Sequence, residues 1–162
     1  MVIGDEHNIG LSFYLQNTPK DWNGETVRMM NPAKSVDPIA LVWFRRVLAS
    51  FWGPPNDEAF QGHPLYRNGV EPYSYFEIDN SPWRAQLSKM NRVHSSHRDD
   101  LYDDYRHYIF AFHDTTFECL ANAFELEISE GSVYSAIPEL TRRLNPNKAE
   151  QVDAGKPDPA AS

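Results

Sequence analysis

The sequence predicts an α+β domain, an antiparallel β-sheet with about three helices packed mainly on one face. Three observations lead there. Alternating apolar stretches joined by short turns indicate neighbouring antiparallel strands. Apolar residues at spacings of three and four, opened by Asp-Pro or Ser-Pro, indicate helices. The 162 residues are 41% hydrophobic and 13% aromatic, enough for one core without disulfide or metal staples.

The elements follow in order. Ile9, Leu11, Phe13 and Leu15 alternate with more polar residues and read as a strand. Asn17–Gly24 is rich in turn formers, and Val27–Met30 reads as a second strand closing a hairpin with a long loop. A helix is expected over 38–52: Asp37 caps it, Pro38 opens it, and Leu41, Phe44, Val47, Leu48 and Phe51 form its apolar face. Gly53 ends it and Pro54-Pro55 blocks continuation. Residues 53–72 are a long Gly-, Pro- and Asn-rich loop containing Gly62-His63-Pro64-Leu65-Tyr66, and loops of this length often bind or cover a ligand.

Tyr73–Ile78 reads as a strand. Ser81 caps a helix that opens at Pro82, runs to about Val93 and buries Trp83, Leu87 and Met90. A charged stretch, 94–104, follows. His107–Ile128 carries the main sheet signal, two or three antiparallel strands with a reversal within His113–Thr116. The apolar parity changes near Asn122, which predicts a bulge or second turn and an inward set of Phe124, Leu126 and Ile128. Ser132–Leu144 is the last helix, with Pro138 as either a kink or its true start. The organisation expected is one globular domain over 1–145 and a disordered C-terminal tail over 146–162, where Pro, Ala, Lys and Asp replace the apolar pattern.

Charge narrows the function. Fifteen basic against 23 acidic residues give a net charge of −8. That argues against nucleic acid and anionic membranes and favours a basic partner. Cys119 is the one cysteine, and Met1–Gln16 has no signal-peptide pattern, so a cytoplasmic location is expected. No apolar run reaches the length of a membrane span.

Three constellations carry chemical potential. Phe112–Cys119 holds His113, Asp114, two threonines, Glu118 and Cys119. On one continuous strand His113 and Cys119 lie about 20 Å apart. With Asp114-Thr115 as the turn, His113 faces Thr116 and Cys119 faces Phe110. Neither makes a Cys–His pair, so Cys119 reads as core. His113, Asp114 and Glu118 remain as catalytic candidates, with His113 as base and a carboxylate to orient it, or else as local turn bonds. The second constellation, His94, His97, Asp99 and Asp100 with His107, contains zinc-ligand types but no specific metal spacing. No metal and no cofactor are assigned. The third, Arg98–His107, interleaves four aspartates with Tyr102 and Tyr105 and reads as a protein-facing surface or a solvated turn. Neither a phosphate-binding loop nor a serine nucleophile elbow occurs.

The segment Arg106–Cys119, R-H-Y-I-F-A-F-H-D-T-T-F-E-C, resembles a stretch in a group of uncharacterised bacterial proteins. Those proteins also carry a Gly-His-Pro-Leu loop similar to Gly62–Leu65 and a segment similar to Tyr75–Trp83. The resemblance spans residues 40–125. It implies a bacterial origin and brings no role to any residue.

The sequence thus points to a small acidic binding module that engages another protein, with His63, Tyr66, Tyr102 and Tyr105 as binding candidates. The open sheet face would allow a homodimer. The alternative is a small enzyme or ligand-binding protein with a His/Asp pocket at His113 and Asp114.

Overall fold

In a computed structural model, which describes residues 1–15 and 30–144, the fold is α+β, and among the described residues there are two α-helices rather than three. The strands are β1 (Val2–Gly4), β2 (Asn8–Tyr14), β3 (Asp37–Gly53), β4 (Tyr75–Ile78), β5 (Arg106–Ala111) and β6 (Thr116–Gly131). The helices are α1 (Pro82–Asn91) and α2 (Ile137–Leu144). The expected strand at Val27–Met30 falls outside the described residues except for Met30, and the expected tail lies wholly outside them.

The helix expected over 38–52 is instead the strand β3. Asp37 is a buried strand residue, not a cap. Ile39 to Phe44 are six consecutive buried residues. A strand buried on both faces loses its alternation, so its apolar residues also satisfy a helical spacing. The β-branched and aromatic content of Ile39-Ala-Leu-Val-Trp-Phe44 was the signal favouring strand.

The chain divides into two units. Unit 1 takes Met1–Trp43 and the chain from Phe124 onward; unit 2 takes Phe44–Ala123. In unit 1 the strand order is β1-β2-β3-β6, with β1 and β2 antiparallel. Its core joins Ile39, Leu41 and Trp43 of β3 to Val133, Ala136 and Leu140. Gly10 admits the helix: a Cβ there would lie 3.0 Å from Leu140 Cδ2. Pro138 sits beside the helix start, which resolves its placement in favour of a start over a kink.

β6 runs unbroken through Asn122. Its parity is kept, so the residues in phase with Phe117 and Cys119 become Glu125 and Glu127. Both pair with the Arg143 guanidinium, which lies over the Trp43 ring. Leu126 and Ile128, expected inside, are exposed, and Phe124 is half-buried.

In unit 2 the order is β3-β6-β5-β4, with β4–β5 and β5–β6 antiparallel. The turn between β5 and β6 is His113-Asp114, closed by the Phe112 N–H donating to the Thr115 carbonyl at 2.9 Å. The expected turn was one residue later. The shift places Cys119 opposite Tyr108 rather than Phe110, still fully buried as a core cysteine. On one sheet face Ile109 and Ala111 pack with Phe60 and Val70 from the long loop. On the other, Phe44, Tyr108, Phe110 and Phe117 form an aromatic cluster with ring centroids 5.5–6.3 Å apart. Helix α1 starts as expected: Ser81 Oγ accepts the Arg84 N–H at 3.1 Å. Its inward face differs from the expected one, with Ser88 buried and Met90 exposed.

Candidate functional site

The candidate residues do not form one pocket. Two clusters in unit 2 divide them.

The first is built on Glu118, near the start of β6. Strand pairing sets His107 and Glu118 on the same sheet face, since His107 pairs with Leu120 and Ile109 with Glu118. His107 Nε2 lies 2.8 Å from Glu118 Oε2, and its Nδ1 lies 2.9 Å from Ser81 Oγ. Ser81 therefore caps α1 and touches His107 with one hydroxyl. With Ser81 donating to Nδ1 and His107 Nε2 donating to the carboxylate, every partner is met.

His63 approaches from the other side. Its ring stacks on Phe60 at 5.2 Å, and its Nδ1 accepts the Leu65 N–H at 3.1 Å. A ring nitrogen that accepts a backbone N–H carries no proton, so the His63 proton sits on Nε2. That N–H lies 3.4 Å from Glu118 Oε1, out of hydrogen-bond alignment, and has no other partner. Both imidazoles are buried, while the Glu118 side chain is 17% exposed and reaches solvent. Burial pushes the Glu118 pKa up; the His107 and His63 imidazoles favour the anion and more than offset this, leaving it below the ordinary glutamate value. The protonated His63 Nε2 also opposes metal ligation there, and among the described residues no group of three His, Cys, Asp or Glu side chains is placed to hold a metal ion.

The second cluster lies at the β5–β6 turn. His113 was expected to work with Asp114, but Asp114 Oδ1 is 3.9 Å from His113 Nε2 and points into solvent. The working partner is Asp57. His113 Nδ1 lies 2.8 Å from Asp57 Oδ2 and 2.9 Å from Tyr73 Oη, and the Tyr73 hydroxyl donates to the same Asp57 oxygen. The Asp57 N–H donates back to the His113 carbonyl at 2.9 Å. Tyr73 stacks on His113 with centroids 6.1 Å apart and holds a left-handed backbone, φ 58°. For a bulky residue that conformation is strained. The Tyr73 and His113 bonds lower the Asp57 pKa, and in return Asp57 raises those of His113 and Tyr73. Thr115 Oγ1 and Thr116 Oγ1 bond the Gly53 and Pro55 carbonyls at 2.8 Å each, anchoring the turn to the end of β3.

Around this turn stand large exposed rings: Trp52 at 45%, Tyr75 at 46% and Tyr73 at 61%. Trp52 contacts Phe112 at 5.9 Å, Phe112 contacts Phe110 at 6.5 Å, and Phe110 contacts Tyr75 at 5.0 Å.

The remaining candidates are dispersed. Tyr66 is exposed in a 3-10 turn just past His63. Tyr102 is buried against His97, which corrects its expected place on an exposed patch, and Tyr105 is half-buried. Two of the four aspartates there are used locally: Asp99 takes Ser88, His97 and Arg92, which hold its pKa at about 2, and Asp100 takes Arg98. Asp57, Tyr73, Trp52 and Ser81 were not foreseen as site residues. Trp52, Asp57 and Tyr73 were marked only by their place in or beside the long loop, and Ser81 only as a helix cap, because the partners of Asp57, Tyr73 and Ser81 lie 16 to 56 positions away in the chain.

No protein-family model, curated protein or solved structure matches the chain.

Proposed function

We propose that this chain is a non-catalytic interaction module that engages another protein through the β5–β6 turn end of unit 2. The observation that carries the reading is the trio of exposed rings Trp52, Tyr73 and Tyr75, with Tyr73 held by the Asp57–Tyr73–His113 triangle and Trp52 and Tyr75 set on the strands β3 and β4. Interface hot spots favour Trp and Tyr because a rigid ring brings much contact area for little lost entropy. The strained Tyr73 backbone adds support, since strain of about 1–3 kcal/mol persists where structure is held for a purpose. The His113 imidazole stands on a turn that water reaches freely, a poor setting for acid–base chemistry.

A ligand-binding or catalytic reading draws on one observation, the buried His63 Nε2–H beside solvent-touching Glu118. Against it, Glu118 is a weakened base, and Ser81 is buried and committed to the helix cap.

The test is a pull-down from native lysate with tagged protein and a Trp52→Ala/Tyr75→Ala variant, read by mass spectrometry at low and high salt. A stoichiometric partner held by the parent and lost by the variant supports the module. Equal capture by a folded variant refutes this surface.

A further inference from the structure

We propose that the side chain seated on this turn end is cationic, a lysine or arginine presented by a segment of the partner protein. The inference rests on the interaction reading above and adds the chemistry of the occupant. Its first support is the rings. The faces of Trp and Tyr attract ammonium and guanidinium groups through their quadrupoles, and three such rings are exposed here.

Its second support is charge. Asp114 and Glu58 are exposed carboxylates, and both act electrostatically on His113. Asp57 is met by His113 and Tyr73. The stretches that build the surface, 47–66, 68–83 and 107–123, contain no lysine or arginine. Among the described residues, these stretches therefore offer aromatic faces and the exposed carboxylates Asp114 and Glu58, with no lysine or arginine within them. An anionic segment would meet only repulsion from Asp114 and Glu58, and a purely apolar one would leave them facing it without a partner.

The charge on His113 then sets a sign. Its neighbours are Asp57, Tyr73, Asp114 and Glu58. As pH rises and His113 loses its proton, the surface becomes more negative, so a cationic occupant binds more tightly and an anionic one less tightly.

The test uses the full chain and a fluorescently labelled synthetic peptide in which lysine alternates with leucine. Its controls are the glutamate-for-lysine peptide and fixed ionic strength. Binding is read by anisotropy, and folding of every variant by circular dichroism. The lysine peptide should bind and the glutamate peptide should not. Trp52→Ala/Tyr75→Ala should weaken binding about tenfold or more. Glu58→Gln/Asp114→Asn should weaken it about two- to tenfold. Asp103→Asn/Asp104→Asn, which changes charge equally at the far end of β5, should leave it unchanged. Affinity should rise with pH through the His113 titration. Equal binding of the two peptides, no binding of either, or lysine-peptide binding that survives loss of the two rings overturns the proposal. The lysate pull-down separates the two claims. A partner lost with the rings but bound with unchanged affinity, by titration of the captured partner, to Glu58→Gln/Asp114→Asn refutes the cationic occupant and leaves the interaction surface standing. A partner kept after loss of the rings refutes both.

Discussion

Replacing Glu118 by alanine should destabilise the fold by about 2–4 kcal/mol. The magnitude comes from what the carboxylate holds. His107 Nε2–H loses a 2.8 Å bond and is left buried without an acceptor, which costs about 1–3 kcal/mol. His63 Nε2–H loses only a misaligned 3.4 Å contact, so its share is a fraction of that. The carboxylate is partly solvated, which keeps the total below the roughly 3–5 kcal/mol of a fully buried pair broken on one side. Glu118→Gln keeps an acceptor oxygen for His107 Nε2–H but sets its amide N–H against the His63 Nε2–H, donor against donor, so it should cost less than alanine, about 1–2 kcal/mol. Urea unfolding followed by tryptophan fluorescence measures both, compared at unchanged m-value. The pH dependence has a definite sign. Glu118 has a depressed folded pKa, so its stabilising contribution is present above the unfolded-state value and is lost as pH falls through the folded one. The gap between parent and Glu118→Ala should therefore close in acid. A Glu118→Ala protein within about 0.5 kcal/mol of the parent near neutral pH would mean that the His63–Glu118–His107 line contributes nothing to the core, and the reasoning fails.

Three further outcomes are expected. His113 should titrate above the ordinary histidine value by NMR and fall back in Asp57→Asn; because its folded pKa is raised, the stability it contributes is full below the unfolded value and lost as pH rises through the folded one. Cys119, whose thiol burial pushes up to about 12, should resist an aromatic disulfide reagent in the folded protein and react only on unfolding; rapid native-state labelling would contradict its place in the core. Gly10→Ala should destabilise by about 1–3 kcal/mol through the clash with Leu140, and by less in a Leu140→Ala background; strict additivity in chemical denaturation would refute the close contact.

Where a local rule had a local cause, the sequence could be read. Ser81-Pro82 marks the start of α1 because a hydroxyl acceptor and a pre-set φ are needed at that point of any helix. The β5–β6 hairpin was visible in its alternation, and the register missed by one residue because two adjacent pairs of polar residues both suit a tight turn. β3 failed for the opposite reason. Asp37-Pro38, the spacing of Leu41, Phe44, Val47, Leu48 and Phe51, and the Gly53-Pro54-Pro55 stop are consistent with a helix taken alone. Packing on both faces of Ile39–Phe44 overrode them.

The candidate site divides the same way. By itself the sequence determined the ingredients: an acidic, aromatic-rich chain with His63, His107, His113 and Glu118 set in strand and loop segments, and a single cysteine suited to a core. Only the tertiary structure decided their partners. His113 went to Asp57, 56 positions away, rather than to Asp114 beside it, because adjacent turn residues point apart while the end of β3 is bonded beneath the turn. Glu118 went to His107 across the sheet and to His63 from the loop, because strand register, a long-range property, chooses which side chains share a face.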